Sequence, residues 1–288
     1  MNPTANKTRQ DFSYTLRAKI QKISSNFATK TNWRNFNPKT FQHPQLNIPI
    51  PHLPPIFHNY HIIHISDIHY GQWIATERLK GITTLINQTH PDAIVITGDF
   101  VSYRLDEKIT EELTAQLKKL QAKDGVFAVL GNHDHWAGTK KIKTLLKKSN
   151  IKDLSNQIHI IKRKEFKLIF AGVDSVMLKK AQLETVIKKM PKKGPAILLA
   201  HEPDFASTSA LTNRFNLQLS GHSHGGQFYI PKLGTPFRGP YALHYPHGLY
   251  KINNMTLFTN TGLGTNSYWL RINCPPQIAT INLLKCTP

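Results

Sequence analysis

The sequence predicts an α/β fold in which strands and helices alternate. Three observations carry this. Short apolar, β-branched runs such as His61–Ile65, Ala93–Thr97 and Val126–Leu130 have the length and composition of buried strands. Amphipathic stretches of 10 to 15 residues separate them, as parallel strand–helix–strand units require. Short polar motifs follow many of the strands, where ligands of such sheets bind. At 288 residues the chain is long enough to bury a large core in one domain.

Taken in order, residues 1–45 form a basic N-terminal extension that differs in kind from the rest. Phe12, Leu16, Ile20, Ile23 and Phe27 recur at spacings of four and three, one apolar stripe on a helix. Arg9, Arg17, Lys19, Lys22 and Lys30 surround the stripe, and Asp11 is the only acid before Lys39. Such a basic amphipathic helix suits an anionic membrane surface, with packing on the domain or absence of order as the alternatives. A proline-rich stretch, Pro44 to Pro55, leads into the main domain, residues 46–288, and Leu46–Ile50 reads as an edge strand that tolerates proline.

Strand His61–Ile65 precedes a helix over Glu77–Gln88, then strand Ala93–Thr97. A helix over Glu107–Gln121, strand Val126–Leu130 and a helix over Thr139–Lys148 complete the first half. The second half is richer in strands: Lys167–Ala171, Ala196–Ala200, Asn216–Ser220, Gln227–Ile230, Leu249–Ile252, Thr256–Asn260 and Ile278–Leu284. Asn253-Asn254 is a hairpin signal between two of them.

Composition narrows the function. The chain has 37 Lys plus Arg against 17 Asp plus Glu, a formal net charge of +20, which favours polyanionic partners: phosphorylated substrate, anionic lipid or nucleic acid. The two cysteines, Cys274 and Cys286, exclude a disulfide framework and fit a reducing compartment. No secretory signal or membrane-length apolar run is visible, so the expected location is cytoplasmic, including the inner face of the cell membrane.

Chemistry concentrates in five short motifs: Ser66-Asp67-Ile68-His69, Thr97-Gly98-Asp99, Gly131-Asn132-His133-Asp134, Ala200-His201-Glu202 and Gly221-His222-Ser223-His224. Carboxylates, an amide and imidazoles without thiolate suit manganese, iron or zinc. Two such ions side by side serve displacement at phosphorus. Any one of these residues alone has an ordinary structural reading, as a helix cap or a hydrogen-bonded histidine. The ordered set does not.

In order and spacing, the motifs resemble those of the calcineurin-like metallophosphoesterase superfamily, over about residues 46–285. The segments Gly221–Gln227 and Arg271–Ile278 are similar to its small, single-domain bacterial branch. That branch includes phosphodiesterases and UDP-2,3-diacylglucosamine diphosphatases. The resemblance implies two mixed β-sheets packed as a sandwich with helices on both outer faces, four layers in all. It implies that Asp67, His69 and His224 hold one metal, that Asp99 bridges with one oxygen to each ion, and that Asn132, His201 and His222 complete the second site. It assigns His133 to the phosphoryl oxygens or the leaving oxygen, a general-acid role that imidazole suits. Asp134 then orients His133, or else caps the following helix. Asn132, His133 and Arg238, the last in the loop Pro231–His247, are the expected substrate contacts.

The expected activity is hydrolysis of a phosphodiester or pyrophosphate bond by in-line attack of a metal-bridging hydroxide, in a lipid-linked or nucleotide-containing substrate. The alternatives are a nuclease or cyclic-nucleotide phosphodiesterase on the same site, and a metal-stabilised scaffold without catalysis.

Overall fold

A computed structural model describes residues 36–236, 238–266 and 270–286. The stripe from Phe12 to Phe27 and Trp269 lie outside the described residues. Two six-stranded sheets face each other. In the first, β1 (Gln45–Pro51) is the edge and pairs in parallel with β12 (Ala279–Cys286). Next comes β2 (Tyr60–Ile65), antiparallel to β12. Then β3 (Ala93–Thr97), β4 (Gly125–Val129) and the short β5 (Ile151–Asp153) follow, each parallel to its predecessor. An edge position is where Pro49 and Pro51 do least harm, since neither has an N–H to offer a second neighbour. The second sheet runs β10 (Gly248–Ile252), β11 (Met255–Thr259), β9 (Leu217–Ser220), β8 (Ala196–Leu199), β7 (Phe166–Gly172), β6 (Gln157–Arg163).

Alternation along the strands builds three apolar layers. Ile62, Val95, Phe127 and Val129 of the first sheet meet Phe170, Ile197, Leu199 and Leu219 of the second between the sheets. Their neighbours Ile63, Ile65, Ile94 and Ile96 face the opposite way, against helices α1 (Thr76–Gln88), α2 (Glu107–Leu117) and α3 (Asn132–Lys148). On the far side, Ile169, Ala196 and Leu198 pack against α4 (Leu183–Lys189) and the single turn α5 (Ala206–Ser209). The result is the expected helix–sheet–sheet–helix sandwich.

Several boundaries differ from expectation. α2 stops at Leu117, where Leu120 N–H closes a tighter turn on the Leu117 carbonyl and still buries its side chain. α3 begins at Asn132, seven residues before the predicted start, and breaks at Gly138 (φ 113°, ψ 98°). Gln227–Ile230 is not a strand. Gly225, Gly226 and Gln227 all have positive φ, and the segment makes only isolated bridges from Phe228 to Ile272 and from Ile230 to Gly234. Residues ahead of the predicted domain start also join the fold: Phe41 stacks on Trp73 at 6.0 Å, and Gln42 bridges to Gln277.

Candidate active site

Strands β2, β3 and β4 are parallel neighbours in one sheet, and β8 and β9 are parallel neighbours in the other. Every one of the five motifs begins within two residues of the carboxyl end of one of these strands. Because the sheets face each other, these five strand ends deliver Asp67, His69, Asp99, Asn132, His201, His222 and His224 to one place. All are buried except His222, which is partly so.

The turns that do this are strained. Asp67, His69, Asp99, His222 and His224 all have left-handed backbone, with φ between 44° and 67°. Each such residue costs about 1–3 kcal/mol, and such strain clusters where function over-determines the backbone. Cross-connections hold it: Asp67 N–H to Gly98 O (3.0 Å), His69 N–H to Asp99 O (3.0 Å) and Gly221 N–H to His201 O (3.0 Å). Gly131 is required by close approach, because a Cβ there would strike the Asp99 carboxylate.

Three groups of donor atoms converge: Asp67, His69 and His224; His69, Asp99 and His133; and Asp99, His201 and His222. His224 Nε2 lies 3.3 Å from Asp67 Oδ1 and 3.1 Å from His69 Nε2. On the other side, His201 Nε2 lies 3.3 Å from Asp99 Oδ2 and 3.2 Å from His222 Nδ1. Asp99 Oδ1 accepts the His133 N–H at 2.9 Å, so Oδ2 alone faces both groups, 3.6 Å from His69 Nε2. Asp99 Oδ2 is thus the carboxylate oxygen that His201 and His69 share.

The donor set fits metals. Asp67 Oδ1 and Asn132 Oδ1 are buried acceptors with no hydrogen-bond partner, a costly state for a polar atom unless something binds there. Two imidazole tautomers are fixed from behind. His201 Nδ1–H donates to Thr97 O (2.6 Å) and His222 Nε2–H to Pro240 O (2.9 Å), while His69 Nδ1 hydrogen-bonds Ser102 Oγ (2.9 Å). Each ring turns its other nitrogen toward the converging donor groups, the arrangement that orients metal-ligating histidines.

Electrostatics agree. Burial and the nearby His133 push the His69 imidazole down to about 3, and burial lowers His222 and His224. Burial also pushes Asp67 up to about 6. For His201 burial works against charge, but the Asp99 carboxylate beside it holds the ring well above the usual imidazole range. Burial opposes ionisation of Asp99 too, yet the same His201 partner holds it well below the usual carboxylate range. The Asp99–His201 pair thus holds a proton between its two side chains, and a cation binding there would have to displace it.

Of the two roles expected for Asp134, the structure shows the helix cap. Asp134 does not orient His133: its carboxylate accepts the N–H groups of Asp99 (2.8 Å), Phe100 (2.8 Å) and Gly131 (2.9 Å). It is a cap on α3 that also clamps the Asp99 turn. His133 is instead held by Nδ1–H donation to the Ser102 carbonyl at 2.5 Å. Arg238 is exposed and spends its guanidinium on its own loop, donating to the carbonyls of Leu243 (2.8 Å) and Thr235 (3.4 Å).

Ser102 had no predicted role, and Arg271 entered only as the first residue of a family-like segment. Ser102 serves both His69 and His133. Arg271 donates to the carbonyls of Thr261 (2.8 Å) and Gly264 (2.9 Å), while Leu263 and Gly264 N–H groups bond Ser66 and Asp67. The only signal for this support was the glycine-rich Gly262-Leu263-Gly264 turn after β11.

The calcineurin-like phosphoesterase family model matches residues 60–226, the stretch holding all five motifs. The chain belongs to this family. It is 32% identical over 237 residues to the uncharacterized metallophosphoesterase YkuE of Bacillus subtilis, covering 82% of each chain. It is 29% identical over 233 residues to phosphodiesterase YaeI of Escherichia coli, covering 77% of this chain and 82% of that one. Among solved structures, TT1561 of Thermus thermophilus superposes with a TM-score of 0.48 at 12% identity, covering 71% of this chain and 91% of that one. A member of the calcineurin-like phosphoesterases is a phosphoester hydrolase that works with divalent metals, and the buried aspartate and histidine groups supply donors for them. Among the described residues, no helix is long and apolar enough to cross a membrane.

Proposed function

We propose that this calcineurin-like phosphoesterase is a dinuclear-metal hydrolase of phosphodiester or pyrophosphate bonds, acting on a lipid-linked or nucleotide-containing substrate. The observation that carries the reading is Asp99 Oδ2, placed between one donor group of Asp67, His69 and His224 and another of His201 and His222. Asn132 Oδ1, buried and without a hydrogen-bond partner, is the further donor we assign to the second group. Manganese, iron or zinc suits these oxygen and imidazole donors. When bound, two such ions supply Lewis-acid polarisation of phosphoryl oxygens and activation of water near neutral pH.

The chain's own residues do the rest. Asp67 and Asp99, both buried, would supply negative charge to bound cations and shield them from bulk water. His133 keeps Nδ1–H on the Ser102 carbonyl and presents Nε2; protonated there, it donates to the leaving oxygen. The net charge of +20 favours capture of an anionic substrate.

The direct test is hydrolysis of bis(p-nitrophenyl) phosphate by metal-stripped protein before and after manganese is restored. Activity that returns with metal, at two ions per chain, supports the proposal. Two bound ions without hydrolysis would shift the substrate to pyrophosphates, and failure to bind metal would sink it. In the restored enzyme, His133→Ala should lower kcat by about 10²-fold with metal content unchanged. A variant that loses one ion as well would make His133 a ligand instead.

A further inference from the structure

Two exposed aromatic side chains flank His133 and take no part in the site described above. Tyr103 is 43% exposed and Trp136 47%. Their rings lie nearly parallel, 7° apart in plane with centroids 6.1 Å apart. Both stand close to edge-on against the His133 ring, at 4.9 Å for Tyr103 and 4.5 Å for Trp136. Neither ring's placement is free. Tyr103 follows Ser102, whose carbonyl holds His133 Nδ1, and Trp136 lies three residues along the same helical turn from His133. Gly138 breaks α3 two residues later, so this first turn is aimed separately from the rest of the helix. A large apolar ring left half in water beside a polar cluster is what a binding-site rim shows. Their stacking on each other accounts for the parallel planes, yet each side chain keeps over two-fifths of its surface in water.

We propose that Tyr103 and Trp136 form a stacking platform that selects a planar aromatic ring, such as a nucleobase, on the leaving-group side of the reacting phosphorus. This rests on the proposed function, since His133 marks the leaving-group side only if it protonates the leaving oxygen. Parallel rings offer faces for offset stacking on a flat partner, a contact that tolerates the identity of the base because each has a π-face. An acyl chain gains no comparable fit from two flat faces.

The test compares two phosphates that differ only by the ring: adenosine 5′-monophosphate and ribose 5-phosphate, titrated calorimetrically into manganese-loaded protein. The nucleotide should bind about tenfold or more tighter. Tyr103→Leu and Trp136→Leu should each cut this ratio severalfold, and Trp136→Phe, which keeps a ring, should restore most of it. Equal affinities in the wild-type protein, with the phosphate site working, would overturn the platform and leave the hydrolase reading standing. A ratio that survives both leucine variants would place the ring elsewhere and equally overturn it. Binding of neither phosphate would overturn both readings.

Discussion

Asp99→Ala is expected to lower turnover of bis(p-nitrophenyl) phosphate by about 10³-fold or more and to leave fewer than two manganese ions per chain. The expectation follows from position. Asp99 Oδ2 is the one oxygen close to imidazoles of both donor groups, 3.3 Å from His201 and 3.6 Å from His69. On the proposed reading, loss of any other ligand would weaken one group, whereas loss of Asp99 would weaken both and remove a negative charge that two bound cations would share. Asp99→Asn should do little better. Its amide oxygen would take the His133 N–H that Oδ1 now accepts (2.9 Å), which turns the –NH2 toward the ring nitrogens that must stay open to metal. Turnover assays paired with elemental analysis decide the matter. Two ions retained in Asp99→Ala would assign the bridge to another residue.

Much of this site is legible in the sequence because each motif is tied to a strand end, and strand ends are what periodicity finds best. Ile62 to Ile65 and Ala93 to Thr97 are apolar on both faces, as strands covered by helices on one side and a second sheet on the other must be. What stays hidden depends on partners remote in the chain. Asp134 sits beside His133, so proximity suggested a pair; its bonds to Asp99 and Phe100, 34 to 35 residues away, are made only by folding. The start of α3 is hidden for a related reason. Gly131 and Gly138 lower helix propensity around the start, although the first is there for close approach to Asp99 and the second re-aims a helix already begun. Strands β5 and β6 at the sheet edges bury too few side chains to show a period. Ser102 is a lone serine whose value lies in two contacts from other elements.

Asp134→Ala should be the most destabilising single change in the site, by on the order of 3–5 kcal/mol, a large share of the roughly 5–15 kcal/mol typical of a whole domain. The carboxylate accepts three backbone N–H groups inside the protein, two at Oδ2 and one at Oδ1. Alanine strands all three away from water at about 1–3 kcal/mol each, less whatever the turn recovers by relaxing. Asp134→Asn should fall between, because one amide oxygen can still serve Asp99 and Gly131 while its –NH2 faces the Phe100 N–H. Urea denaturation reads the order directly, as a lowered midpoint at constant slope. Function should follow from the same cause. Asp99 holds a left-handed backbone (φ 57°) under this clamp, and releasing it lets the carboxylate drift from between the donor groups. Metal affinity should then drop about 10–100-fold, the usual effect of losing such a support, and excess manganese should recover part of the activity. His133→Ala is the opposite case, with metal retained and turnover lost at every manganese concentration. If Asp134→Ala matched that pattern at unchanged stability, Asp134 would belong to the chemistry and the clamp would be incidental.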